Sequence, residues 1–128
     1  MKKYILAVTM ALGVASIVHA DPLEGIWQTE VDDGAYAMIT ISACGEAFCG
    51  VISRTFNSDG EYQSENIGRQ IVFDMVGEGD GYYEGRVWRP ANDKIYIGKM
   101  NLEGDNVRLR GCVAGGLICA SQNWARIQ

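Results

Sequence analysis

The stretch "RGCVAGGLICASQNWAR", Arg110–Arg126, sets two cysteines symmetrically about a Gly-Gly pair and runs almost to the end of the chain. Glycine tolerates the positive φ that a tight hairpin demands, so Gly115-Gly116 predicts a two-residue turn between antiparallel strands. Cys112 and Cys119 then oppose one another across the ladder, with Cα atoms about 4.5–5.5 Å apart and within disulfide reach. Alternation sorts the remaining residues. Val107, Leu109, Gly111, Val113, Ile118, Ala120, Gln122, Trp124 and Arg126 share one face. The cysteines share the other with Arg108, Arg110, Ser121 and Asn123. An apolar face backed by a charged one is the pattern of a sheet with one side on a core.

The same short alternation recurs upstream and predicts eight strands. They span Gly25–Val31, Ala35–Ala43, Cys49–Phe56, Arg69–Val76, Tyr82–Pro90, Lys94–Leu102, Asn106–Val113 and Leu117–Ile127. Turn chemistry separates them at Asp33-Gly34, "VGEGDG", Asn92-Asp93, "EGDN" and Gly115-Gly116. One longer link, "NSDGEYQSENIG", reads as a polar, mobile loop. Eight antiparallel strands in chain order leave two open edges unless they close. The expected fold is therefore all-β: a single antiparallel up-and-down barrel of about eight strands.

The inward phase of the other strands carries Trp27, Ile39, Ile41, Ile52, Ile71, Phe73, Met75, Tyr96, Met100 and Leu102. In "YYEGRVWRP" the two phases tie, and Trp88 is assigned to neither face. An eight-stranded barrel is just wide enough to be filled by its own side chains or to hold one small ligand. The bulk of the inward residues favours filling, whereas Gly98, Gly111 and Ala120 leave room locally. Both readings stay open at this point. If there is a pocket, Trp27, Ile39, Ile41, Phe73, Met75, Tyr96 and Met100 are its candidate lining, for a small apolar or amphipathic ligand.

The chain opens "MKKYILAVTMALGVASIVHADP": two lysines, an apolar run from Tyr4 to Val18, and small residues at Val18 and Ala20. That pattern predicts a secretory signal peptide over 1–20, leaving one domain over 21–128. The run is shorter than the about 20 residues a membrane span needs, so no membrane insertion is expected after cleavage. The expected location is the periplasm or the outside medium.

Cleavage removes His19, the only histidine. Without imidazole the domain has no Ser-His-Asp or Cys-His pair and no histidine metal site. Loss of Lys2 and Lys3 leaves nine basic against sixteen acidic residues, a formal charge of −7. Such a balance disfavours nucleic acid and anionic lipid as partners.

Four cysteines in a small exported domain predict disulfides. "CGEAFC" sets Cys44 opposite Cys49 across a four-residue loop, so local pairing, Cys44–Cys49 and Cys112–Cys119, is expected, with the crossed connectivities still open. Each bridge closes a short loop, which chain entropy values at about 2–2.5 kcal/mol. Neither pair is Cys-x-x-Cys, and a four-thiolate zinc site is ill suited to an oxidising compartment. Neither metal nor cofactor is expected.

Carboxylates cluster at Glu30, Asp32 and Asp33 and at Glu78 with Asp80, all in turns where solvated acids are routine. "GEGDG" lacks the ligand series of a calcium loop. Asp74, Arg86, Arg89 and Lys94 read as a solvated outer face with cross-strand ion pairs, each worth about 0.2–1 kcal/mol. No nucleophile stands beside an evident base, so the chain is not expected to be an enzyme and no catalytic residue is assigned.

"GIW" opening the first strand and "WAR" closing the last resemble the lipocalin and calycin arrangement. The resemblance implies that Arg126 covers Trp27, and with Trp124 the three would seal one barrel end. A broader likeness runs through "GIW", "ITISACGEAFCG", "NIGRQIVFDM", "YYEGRVWRPANDKIY", "GKMNL" and "RGCVAGGLICASQNWAR". In this order the series resembles the small exported bacterial family called domain of unknown function 2147, which implies a lipocalin-like barrel with no established activity. The chain departs from many members in the short, Ser- and Glu-rich segment before Asn66. The functional expectation is a non-enzymatic exported barrel that binds a small molecule. The alternative is an exported interaction module, an inhibitor or envelope accessory protein, acting through its surface or loops.

Overall fold

The C-terminal hairpin forms as its sequence demands: Cys112 and Cys119 are direct cross-strand partners, Cα atoms 4.1 Å apart, joined by a disulfide. In this computed structural model the described residues are 21–128, so the expected signal peptide over 1–20, with its cleavage and His19, lies outside them. The connection is longer than the two-residue turn expected. Ala114–Gly116 form a short 3-10 turn, and Ala114, Gly115 and Gly116 all take positive φ. The loop is symmetric about the Gly-Gly pair, so the register of the cysteines is unchanged.

Nine strands are present among the described residues: β1 (Gly25–Gln28), β2 (Ala35–Cys44), β3 (Ala47–Asn57), β4 (Gly60–Tyr62), β5 (Gln70–Gly79), β6 (Tyr82–Arg89), β7 (Lys94–Glu103), β8 (Asn106–Val113) and β9 (Ile118–Arg126). They run antiparallel in the order β2-β1-β9-β8-β7-β6-β5-β3-β4, and an additional β2–β3 pairing closes the ring. Eight strands make the barrel; β4 is a flap on β3. The fold is the closed antiparallel barrel that the alternation requires, and closure removes the free edges.

The flap corrects the expectation of a plain mobile loop over "NSDGEYQSENIG". Gly60–Tyr62 pair with Thr55–Asn57, and the Thr55 hydroxyl donates to the Tyr62 carbonyl at 2.6 Å. Arg54 grips Glu61 through two hydrogen bonds of 2.8 and 2.6 Å. Farther on, Gly68 N donates to the Ile52 carbonyl and Ile52 N to the Arg69 carbonyl, and Ile67 packs against the core. Polar composition concealed a segment fastened by its backbone.

The first cysteine pair bonds as expected, Cys44 to Cys49, though the two do not stand directly opposite. Cys44 faces Ala47 and Cys49 faces Ser42. Gly45-Glu46 makes a two-residue turn, so β3 begins earlier than the sequence suggested and the bridge runs diagonally. Same-face diagonal neighbours lie within reach across an antiparallel pair.

Strand direction sorts the loops. Segments 29–34, 57–69, 90–93 and 114–117 gather at one end, and 21–24, 45–46, 80–81 and 104–105 at the other. The second end is sealed. Trp27 is fully buried and its indole N–H donates to the Leu23 carbonyl at 2.9 Å. The Arg126 guanidinium stacks 4.4 Å from the Trp27 ring centroid. It also donates to the carbonyls of Glu24 and Pro22 and pairs with Asp105. The Tyr83 hydroxyl donates to Asp21 at 2.6 Å; burial first, and then that bond, push its pKa up. Gly25, at φ +142°, lies against Gln128, and a Cβ there would run into the Gln128 carbonyl oxygen. β1 has only two ladder partners on β9, Arg126 and Ala125. This plug reinforces the shortest seam.

Candidate functional site

The barrel is filled over one half and hollow over the other. Leu23, Trp27, Ile39, Met75, Met100 and Val107 pack without exposed surface toward the sealed end. Toward the other end lies a cavity of about 590 Å³, open to solvent. Its apolar walls come from Ala37, Ile52, Ile71, Val87, Leu109 and Trp124. Trp124 sits where the halves meet, buried in the core cluster and bordering the cavity. Polar side chains gather nearer the opening: Thr29, Asp32, Ser64, Asn66 and Arg89, with Gln122 lower, opposite Leu109. The volume falls within the range of small-molecule sites, roughly 300–1,000 Å³.

The glycines divide along the same line. Gly111 and Ala120 are cross-strand partners that both border the cavity. At Gly98 the room is already taken, because a Cβ would meet Met75 Cε at 3.2 Å.

Of the residues expected to line a ligand, Tyr96 borders the cavity. Trp27, Ile39, Ile41, Met75 and Met100 belong to the filled core, and their large side chains are what closes that half. Phe73 also lies off the cavity. Its ladder shifts beside Asp74, which takes φ +48°, and its ring lies 5.4 Å from the Arg86 guanidinium. Of the three barrel-end residues, Trp27 and Arg126 form the plug and Trp124 the cavity floor. Val113 and Ile118, expected inward, form the last pair of the β8–β9 ladder at the open end and are 45% and 64% exposed. Cys112 is buried while Cys119 is exposed. Both phases of β6 bury residues, which is why Trp88 resisted assignment: it is buried beneath Arg69, 3.9 Å from its ring centroid, and donates to Asp93 at 2.8 Å.

The charged residues divide similarly. Asp74 and Arg86 form an exposed pair at 3.1 Å, as the outer-face reading expects. Arg89 instead reaches across the opening to grip Asp32 with two hydrogen bonds of 2.8 and 2.7 Å. That bond to Arg89 holds the Asp32 carboxyl below its ordinary range, against a partial desolvation that raises it. The pair is half-exposed, so solvent screens it. Glu30 caps the Asn123 backbone N–H.

Sequence reasoning did not select Gln122, although a signal was present: one amide in an inward phase between Ala120 and Trp124. Its Oε1 accepts from the Trp124 indole N–H at 2.7 Å and from the Glu30 backbone N–H at 3.3 Å.

An antiparallel barrel plugged by a Trp–Arg stack at one end and hollow at the other is a lipocalin-like fold. The chain belongs to the family described as "Uncharacterized protein conserved in bacteria", domain of unknown function 2147, whose model matches residues 25–126. No curated protein matches it. A solved structure with a similar fold is protein HP1028 from the human pathogen Helicobacter pylori, described as belonging to the lipocalin family. It is 16% identical, with a TM-score of 0.67 over 86% of this chain and 85% of that one.

Proposed function

We propose that this chain is an exported, non-enzymatic barrel that holds one small amphipathic molecule in its open half. The observation that carries the reading is the cavity: about 590 Å³, apolar at the floor and polar at the opening. A dry chamber of about 150 Å³ already takes a benzene-sized guest, so this one has room for a longer molecule. The export pattern over 1–20 and the two disulfides support an oxidising compartment. Among the described residues no helix is long and apolar enough to cross a membrane.

Titration of ligand-stripped protein with 1-anilinonaphthalene-8-sulfonate tests the reading. A saturable, one-to-one fluorescence rise that amphiphiles compete away is the expected result. A native, folded protein that gives no saturable signal would count against it.

A second reading, docking of an envelope protein, draws on a different observation. Large apolar residues crowd the open end: Val31, Ile95 and Leu117 are 66%, 54% and 86% exposed. In that reading the loops around the opening, and not the cavity, carry the function.

A further inference from the structure

Resting on the cavity reading, we infer that the ligand carries an acyl carbonyl, and that Gln122 is the residue that selects it. The neighbours of the amide decide which of its atoms is free. Trp124 Nε1 and the Glu30 backbone N can only donate, so the atom between them is the oxygen. Those two bonds fix the orientation of the amide and leave Nε2 as its unused end. Among the described residues Nε2 donates to no partner, although Gln122 borders the cavity beside apolar neighbours. Leu109 is its direct cross-strand partner, and Ala120 and Trp124 share its face.

A half-exposed amide donor held in one orientation beside apolar walls discriminates between ligands once one of them displaces its water. Its complement is an oxygen acceptor on an otherwise apolar molecule. A second donor supports the same sign. The Tyr96 hydroxyl accepts from Asn92 Nδ2 at 2.6 Å, which leaves its own proton to give, and Tyr96 borders the cavity. A cationic head would place its own donors against these donors. A carboxylic acid and its ester both present the acyl oxygen, so the two sources are tested separately.

The test uses the wild-type protein and the variants Gln122→Glu and Gln122→Leu. Each is titrated by displacement of 1-anilinonaphthalene-8-sulfonate with dodecanoic acid, methyl dodecanoate and dodecylamine. The wild type is expected to bind the acid, the ester or both about tenfold more tightly than the amine. An acid-only preference names free acids as the source, an ester-only preference names acyl esters, and either supports the inference. Gln122→Glu keeps an acceptor for Trp124 and Glu30 but replaces the donor by oxygen. It should therefore lose about tenfold on the favoured acyl ligand and gain on the amine. Gln122→Leu removes the amide donor but keeps the Tyr96 hydroxyl and frees the Trp124 indole N–H, so its preference for the acyl ligands should narrow without reversing.

If Gln122→Glu is folded and keeps the wild-type order of affinities, the inference is overturned while the cavity reading stands. The same holds if the wild type binds the probe but does not favour an acyl head. If the wild type binds neither the probe nor any amphiphile, both fall together.

Discussion

Replacing Trp27 by alanine removes about 3–5 kcal/mol of stability through the lost side chain alone. At about 4–8 °C per kcal/mol for a domain of this size, the melting temperature falls by roughly 12–40 °C. Trp27 is fully buried, satisfies the Leu23 carbonyl and carries the stacked guanidinium of Arg126. Its loss opens a void, leaves that carbonyl without its donor and frees Arg126 from the seam between β1 and β9. The whole domain has only about 5–15 kcal/mol to lose. Thermal denaturation followed by circular dichroism measures the effect. A shift of only a few degrees would show that the plug does not hold the barrel shut.

The second large effect falls on binding. Gly111 borders the cavity, and a Cβ there would meet Tyr96 and Val87 at 3.6–3.9 Å, ordinary contact distances. The backbone therefore accepts a side chain, which must enter the space a ligand would use. Gly111→Phe is expected to cost about 1–3 kcal/mol of affinity, roughly 5- to 150-fold, with little loss of fold. Displacement titration beside a melting curve separates the two. Unchanged affinity in a folded variant would place the ligand elsewhere.

The barrel was legible because its signals are local. Alternation of period two in "NVRLRGCV" and "LICASQNWARI" fixes which residues face inward, and turn residues fix where the chain reverses. Closure followed from the need to hide edges. Both disulfides followed from spacing around short turns, although the turn at Gly45-Glu46 shifted the first register. What stayed hidden depends on distance in space. Alternation places Met75 and Tyr96 inside alike, but only packing decides that Met75 fills its half while Tyr96 borders a hollow. Asp32 and Arg89 lie 57 residues apart, and no pattern in the sequence joins them. β4 was missed because a three-residue strand of Gly, Glu and Tyr shows no alternation to detect. Gln122 was readable as an amide in an apolar phase; which of its atoms is free required the positions of Trp124 and Glu30.

A barrel whose hollow half carries a guest should leave its own cells with that guest in place. Native mass spectrometry of the full-length gene product, purified without detergent from its own cells, tests it most directly. A disulfide-bonded protein of residues 21–128 is expected, with a stoichiometric small adduct that Gly111→Phe abolishes. A bare protein mass from every preparation, with the wild type folded and its cavity intact, would contradict it.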